Sequence, residues 1–329
     1  MAEKKRQHFV PRMYLDRFAN DGQVFVRRRV GEPFESNCIN VAVESGFYDV
    51  ELPDGTKSKR YEDDLGDIED RTAPVLRKID DTLVPPDPQS EEHRILAVYL
   101  AVQLTRTPEE RQRVLFPDAV SRFLDGRELT RESVAEYLKT IHLGFKPRKE
   151  EVEGAFTYAY VGLNSEGVLT REFTLEMIEV VAEQAVPHLR RLHWTIEIDR
   201  KGRFMTSDSP LILWRKPTPR DEFEGVGIAT AEEIRFPFDP TKQLVLTKTQ
   251  RAPNVRVTPE RVAACNADVA LACHNFIVSN PRDRKRAEGL DLPRKRALLR
   301  FNLGPLMHQQ PDGRWVKGND VMHAWVPRR

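Results

Sequence analysis

The sequence predicts an α+β protein, with a helical N-terminal half packed on a β-rich C-terminal half. Two observations carry this. Apolar residues keep a 3.6-residue period in several long windows before residue 193. From His193 onward the pattern changes to short alternating runs broken by turn residues. A helical half followed by a β-rich half is the α+β pattern.

The chain opens on Gln7-His8-Phe9-Val10-Pro11-Arg12-Met13-Tyr14-Leu15-Asp16-Arg17-Phe18. Pro11 suits a first helical turn, and Tyr14, Leu15 and Phe18 fall on one face. Unpaired N–H groups at such a helix start attract anions, which would set His8 where a phosphate, carboxylate or metal could meet it. Val24-Phe25-Val26 reads as a strand, Ile39–Glu44 and Phe47–Val50 as extended pieces, and Pro53-Asp54-Gly55 as a turn. A helix is expected from about Tyr61 to Leu83, carried by Leu65, Ile68, Thr72, Val75, Leu76 and Ile79, and kinked or divided at Pro74. Ser90 starts a second helix through Thr105, apolar nearly all round and therefore central. Thr107-Pro108-Glu109-Glu110 is an N-cap, N1 proline and acidic first turn for the next helix. Thr130–His142 and Phe173–Leu192 are further helices.

The β pattern follows in His193–Ile198, Arg203–Thr206, Leu211–Trp214, Ile234–Phe236 and Leu244–Leu246. A helix over Pro259–Ala272 precedes Phe276–Val278, and Asn280–Arg300 is charged and expected at the surface. The organisation expected is a mainly helical lobe over 1–192 that includes the N-terminal motif, a β-rich lobe over 193–280 completing the same domain, and a basic C-terminal segment over 281–329.

The 329 residues are 40% hydrophobic and 31% charged, an ordinary balance for a chain with a large core. The charged start has no apolar h-region, so no secretory signal is expected. The longest clean apolar run, Ile95–Val102, falls far short of the ~20 residues that a spanning helix needs, and no membrane partner is expected. Cys38, Cys265 and Cys273 are scattered, which argues against a disulfide framework or a CxxC zinc site and fits the cytoplasm. Charge is uneven: residues 1–30 carry eight Lys/Arg against three acids, 44–92 fifteen acids against six bases, and 281–329 twelve Lys/Arg against five acids. Such asymmetry marks either a phosphate or nucleic-acid surface or basic ends folded against an acidic middle.

Several blocks together resemble the bacterial domain-of-unknown-function family 4238. They are the opening motif with Tyr14, Leu15 and Phe18; Asn40-Val41-Ala42 with Phe47-Tyr48; Ile68-Glu69 with Ala73-Pro74 and Leu76; Gln103 with Arg106-Thr107-Pro108; Phe204–Pro210; and Phe236–Pro240. The blocks run in order over roughly residues 7–280. The resemblance implies a shared fold and a shared site and supplies no reaction.

If the blocks converge, the candidate catalytic residues are His8, Glu69 and Asp208, and Gln7, Tyr48, Gln103 and Arg106 are candidates for substrate binding. His8 suits a general base or metal ligand, Glu69 and Asp208 a hard cation, and Arg106 a bidentate grip on phosphate or carboxylate. Each also has a structural role open to it: a helix-start cap for His8, a buried Glu69–Arg106 ion pair, an Asx-turn at Asp208, a core hydroxyl for Tyr48, and a loop carbonyl met by Gln103. Arg282, Arg284, Lys285 and Arg286, with Arg294, Lys295 and Arg296, are candidates for nucleic-acid binding.

The resulting expectation is a metal-dependent hydrolase, a nuclease or phosphodiesterase acting on nucleic acid or nucleotide with magnesium or manganese as the cofactor considered, in a phage-defence setting. The alternative is a non-enzymatic module that binds a nucleotide, a nucleic acid or a protein. A compact HNH motif cannot close locally, because the next histidine after His8 is His93. Ser207 and Ser209 lack a nucleophile elbow, and there is no Walker A loop, GxGxxG or EF-hand loop. His188 and His193 do not share a helix face.

Overall fold

The computed structural model describes residues 6–51, 57–58, 60–141, 146–164, 171–217, 226–292, 298–311 and 313–327. In chain order the elements are β1 (Arg6–His8), α1 (Arg12–Leu15), β2 (Gln23–Arg28), β3 (Phe34–Asn37), β4 (Val43–Ser45), β5 (Val50–Glu51), β6 (Lys57–Ser58), α2 (Arg60–Thr82), α3 (Glu91–Thr105), α4 (Pro108–Leu124), α5 (Arg131–Ile141), α6 (Lys149–Asn164), α7 (Arg171–Arg190), β7 (His193–Ile198), β8 (Thr206–Ser207), β9 (Ile212–Trp214), β10 (Glu233–Asp239), β11 (Lys242–Thr247), β12 (Asn254–Arg256), α8 (Pro259–Ala272), β13 (Phe276–Ser279), α9 (Arg284–Gly289), β14 (Leu298–Gln309) and β15 (Trp315–Pro327). The fold is α+β, with helices in the N-terminal half and strands in the C-terminal half.

The chain divides into two compact units. The first comprises residues 1–110, 175–217 and 226–294. It contains a five-stranded sheet ordered β12-β7-β11-β10-β9, a four-stranded sheet ordered β3-β2-β13-β8, and the short β1–β4 pair. β10, β11 and β7 are mutually antiparallel, and every residue of β10 is buried. Such a strand, covered on both faces, must pair its polar side chains as well as its backbone. It does so beneath α8. Arg235 donates to Glu233 and Asp268, and Arg261 donates to Glu197 (2.9 Å) and Glu233 (2.7 Å). The guanidinium groups hold the Glu233 carboxyl down at about 2 against the upward push of burial.

α2 and α3 belong to the same unit and are tied by Arg71–Glu91 and Lys78–Glu92. Ser90 caps α3 by accepting from the His93 N–H (3.1 Å), and Tyr99, Leu96 and Leu100 of that helix are buried in the main core with Tyr14, Phe18, Trp194 and Phe236. The second unit, residues 111–174, 218–225 and 295–329, has its own core. There Phe116, Val120 and Leu124 of α4 pack with Val134, Tyr137 and Leu138 of α5 and Ala155 and Ala159 of α6. β14 and β15 form an antiparallel pair around a left-handed Gly313.

Most expected elements form within a residue or two of their predicted bounds, and the differences have local causes. α2 is continuous through Pro74. Asp70, whose carbonyl the proline leaves unbonded, and Pro74 are both exposed, so water can serve that carbonyl while Thr72, Val75, Leu76 and Ile79 anchor the other face. α1 is a single turn followed by a 3-10 turn, too short for a dipole-based anion site at its start. The strand expected over Arg203–Thr206 pairs only at Thr206–Ser207. α6 and the β14–β15 pair were not anticipated. The expected turn at Pro53-Asp54-Gly55 lies outside the described residues. All three cysteines are buried, and no disulfide joins them.

His93 stacks on Trp194 with ring centroids 3.9 Å apart, and neither ring nitrogen has a hydrogen-bond partner among the described residues. Burial, helped by Arg190, pushes its pKa down to about 4. The unfolded chain therefore takes up this proton first, and stability falls as pH drops from about 6.5 to about 4, by at most about 1.4 kcal/mol per pH unit from this one group. Urea denaturation across that range is expected to show a shallower pH dependence for His93→Phe than for the parent protein.

Candidate functional site

The opening motif is a strand held from behind by one arginine. Arg106 closes α3 and is 2% exposed. Its Nε donates to the Phe9 carbonyl (2.9 Å), Nη2 to the His8 carbonyl (3.4 Å) and Nη1 to Glu69 Oε1 (3.0 Å). A buried guanidinium must be paired in this way, and its fork joins β1, α2 and α3 at one point. The Tyr48 hydroxyl also donates to the His8 carbonyl (3.3 Å). On the other edge β1 pairs with β4, with His8 opposite Val43, and the Phe9 N–H donates to the Ala42 carbonyl. Ala42 takes a left-handed φ of 53°, a strained choice for alanine that turns the chain into β4.

Gln7 is 4% exposed and uses both ends of its amide. Its Oε1 accepts from the Tyr48 N–H (2.6 Å), and its Nε2 donates to Asp49 (3.1 Å) and Glu62 (3.2 Å). His8 is half-buried. Its Nε2 lies 3.4 Å from the Cys38 carbonyl, which can only accept, so Nε2 carries the proton and Nδ1 keeps a lone pair in the neutral ring. Burial lowers the His8 pKa below its ordinary value, opposed by the Cys38 carbonyl and Glu69 and aided by Arg106 and Arg12. At neutral pH the imidazole is therefore unprotonated at one nitrogen, the state a base requires.

These groups border a cavity of about 260 Å³ that also takes in Arg6, Arg12, Leu65 and Gly66. Glu62, Leu65, Gly66 and Glu69 follow at helical spacing, so one face of α2 forms a wall. Gly66 faces open space, with no atom within 4 Å of a Cβ built there. Beyond Tyr48 and Leu65, which line both, lies a more apolar chamber of about 210 Å³ bounded by Tyr61, Ile68 and Val102.

The structure thus brings together Gln7, His8, Tyr48, Glu69 and Arg106. Gln103 lies buried on α3, and its amide has no hydrogen-bond partner among the described residues. Asp208 is fully buried away from this wall and accepts from the N–H groups of His274 (2.8 Å), Asn275 (2.6 Å) and Phe276 (3.2 Å). Burial pushes its carboxyl up to about 7, against the pull of those three donors. Arg282 lies in a 3-10 turn, and Arg284, Lys285 and Arg286 lie on α9. Arg284 pairs with Glu288 and sits over Phe25, and Arg286 pairs with Asp283. Arg294, Lys295 and Arg296 lie outside the described residues. Arg6, Arg12, Glu62 and Gly66 were missed by sequence reasoning. For Glu62 and Gly66 the signal was present, as both keep helical spacing with Glu69. Among the described residues no group of three or more His, Cys, Asp or Glu side chains is placed to hold a metal ion.

A family model described as "Protein of unknown function (DUF4238)" matches residues 6–283. No curated protein and no solved structure matches the chain.

Replacing Arg106 with leucine would strand Glu69 and uncover two backbone acceptors. Arg106→Leu is expected to cost about 3–5 kcal/mol in urea denaturation, and Glu69→Gln, which keeps an acceptor on the partly exposed side, clearly less.

Proposed function

The chain belongs to the DUF4238 family of proteins of unknown function, and from the geometry around its opening motif we propose that it is a hydrolase of phosphate esters, acting on a nucleotide or a nucleic-acid end with His8 as general base. The observation that carries this reading is the state of His8. It is a neutral imidazole on a cavity wall, with its proton committed to a backbone carbonyl and its backbone pinned by Arg106.

The roles follow from the chemistry of the wall. Arg6 and Arg12 supply positive charge beside His8 and suit the phosphate oxygens. Nδ1 of His8 takes a proton from water as the water oxygen attacks phosphorus. The ester oxygen leaves and is protonated in turn. Glu69, one oxygen of which is fixed by Arg106, offers the other as an acceptor toward water or a sugar hydroxyl. The apolar chamber behind Tyr48 suits the flat part of a nucleotide. Among the described residues, magnesium or manganese would find Glu62 and Glu69 as the acidic groups on the 260 Å³ wall. That is compatible with an ion held chiefly by substrate phosphates, as is usual for magnesium. Three buried cysteines that form no disulfide fit a reducing compartment, and the reading is of a cytoplasmic protein.

The test is to incubate the protein with nucleotides and with short DNA and RNA, with and without magnesium or manganese, beside His8→Gln. Hydrolysis is expected to fall about 10²–10⁴-fold in the variant. Rate should rise with pH through an apparent pKa below 6.5 and then level off, because only the neutral ring is a base. Binding without turnover in either protein would assign the cavity to a non-enzymatic binding module instead. Gly66→Leu is expected to fill the cavity and abolish both binding and turnover, while Gly66→Ala raises stability by up to about 1 kcal/mol.

A further inference from the structure

A second, larger cleft lies in the first unit away from His8. It measures about 580 Å³ and forms where five segments meet: the 3-10 turn after α1, the end of α2, the turn after β7, the β10–β11 hairpin and the turn after β13. Its floor is electrically closed. Arg17 forks onto Asp80 (2.9 and 2.7 Å) and also donates to Asp239 (3.0 Å) and the Phe238 carbonyl (2.8 Å). Lys242 completes the floor through Asp239 (2.8 Å) and Asp80 (3.3 Å). Two carboxylates are thereby matched by two cations, and neither is left to attract a metal or repel an anion.

The rim differs. Arg200, Lys201 and Arg282 line the cleft and are exposed, and no hydrogen bond or ion pair engages their side chains among the described residues. The acid at the rim, Asp283, is held by Arg286. The three rim cations are mounted on braced backbone. Asp199 accepts from the Lys201 N–H (3.3 Å) and the Arg203 N–H (3.0 Å) and receives the Arg203 fork. Gly202, at φ +68°, closes the turn against Thr241. Asn280 accepts from the Arg282 N–H (3.1 Å) and donates to the Phe18 and Ala19 carbonyls. Three unmatched cations on braced backbone around a polar cleft form a place of surplus positive charge that suits an anion.

We propose that this cleft binds a small ligand carrying two or more adjacent phosphates, an inorganic pyrophosphate or a nucleoside di- or triphosphate. A single phosphate brings about −2 charge against three cations, whereas a phosphate chain brings more charge and reaches further along the rim. The site is independent of the hydrolytic reading of the His8 cavity.

Calorimetric titration of the full chain with pyrophosphate, ADP, ATP and adenosine tests the assignment. Binding is expected for the three phosphate-bearing probes and not for adenosine, and it should weaken as salt rises from 50 to 300 mM. Equal affinity for pyrophosphate and ADP identifies the phosphate chain alone as the ligand, and tighter nucleotide binding adds a base subsite. The combined Arg200→Gln, Lys201→Gln and Arg282→Gln variant, all at exposed positions, is expected to lose at least tenfold in affinity with an unchanged melting temperature. His8→Gln should bind as the parent does, which separates this site from the first cavity. Hydrogen exchange on the parent protein gives a second readout: pyrophosphate should protect residues 199–204 and 280–283. No binding at millimolar pyrophosphate, or protection confined to 6–12 and 62–69, overturns the proposal.

Discussion

The buried guanidinium of Arg106 is the constraint on which the site depends. Removing such a charge from water is costly, and the cost is met only if its donors find acceptors in fixed places. Three acceptors are supplied by the His8 and Phe9 carbonyls and Glu69, so the opening strand, α2 and α3 have one mutual arrangement that satisfies the group. The position of His8 against α2 follows from that pairing, since the same arginine that holds its carbonyl also holds Glu69.

The same logic recurs through the first unit. The Tyr14 hydroxyl is fully buried and joins the opening motif to the Pro237 carbonyl (2.6 Å) and Thr206 (2.7 Å). Asp208 collects three backbone N–H groups that follow α8. Glu197, Glu233, Arg235 and Arg261 neutralise one another under that helix. The sequence blocks distant in the chain are therefore joined in space by polar cross-links, and most of the polar residues in those blocks serve the fold. His8, Glu69 and Gln7 differ in that they pair on one side and border open space on the other. That division between pairing and exposure, more than residue type, marks the candidate site.

The two cavities have different electrostatic characters for a structural reason. At the His8 wall, the carboxylates Glu62 and Glu69 come from α2 and the cations Arg6 and Arg12 from the opening motif, so acceptors and donors border the same space. In the larger cleft, acids and bases on the floor cancel and the surplus charge stands at the rim on turns braced by Asp199 and Asn280. A charge balance of that kind is invisible in a tally of residues, because it depends on which aspartate meets which lysine.

Local signals determined a large part of the protein from its sequence alone. Helical period, Ser90 and Thr107 as caps, and alternation from His193 specified α2, α3, α4, β7 and α8 and the α+β class, since each of these is decided by residues within a few turns of one another. The sequence also identified Gln7, His8, Tyr48, Glu69 and Arg106 as candidates. Tertiary structure alone decided that these five converge while Asp208 is buried elsewhere, that Arg6 and Arg12 complete the wall, and that Arg282 joins Arg200 and Lys201. It also formed the β14–β15 pair and α6, where the apolar period was too weak to read. The physical reason is range. A cap or an amphipathic face is satisfied by its neighbours, but a buried charge or a sheet edge is satisfied by partners 37 to 263 positions away, and only the closed chain determines which partner that is.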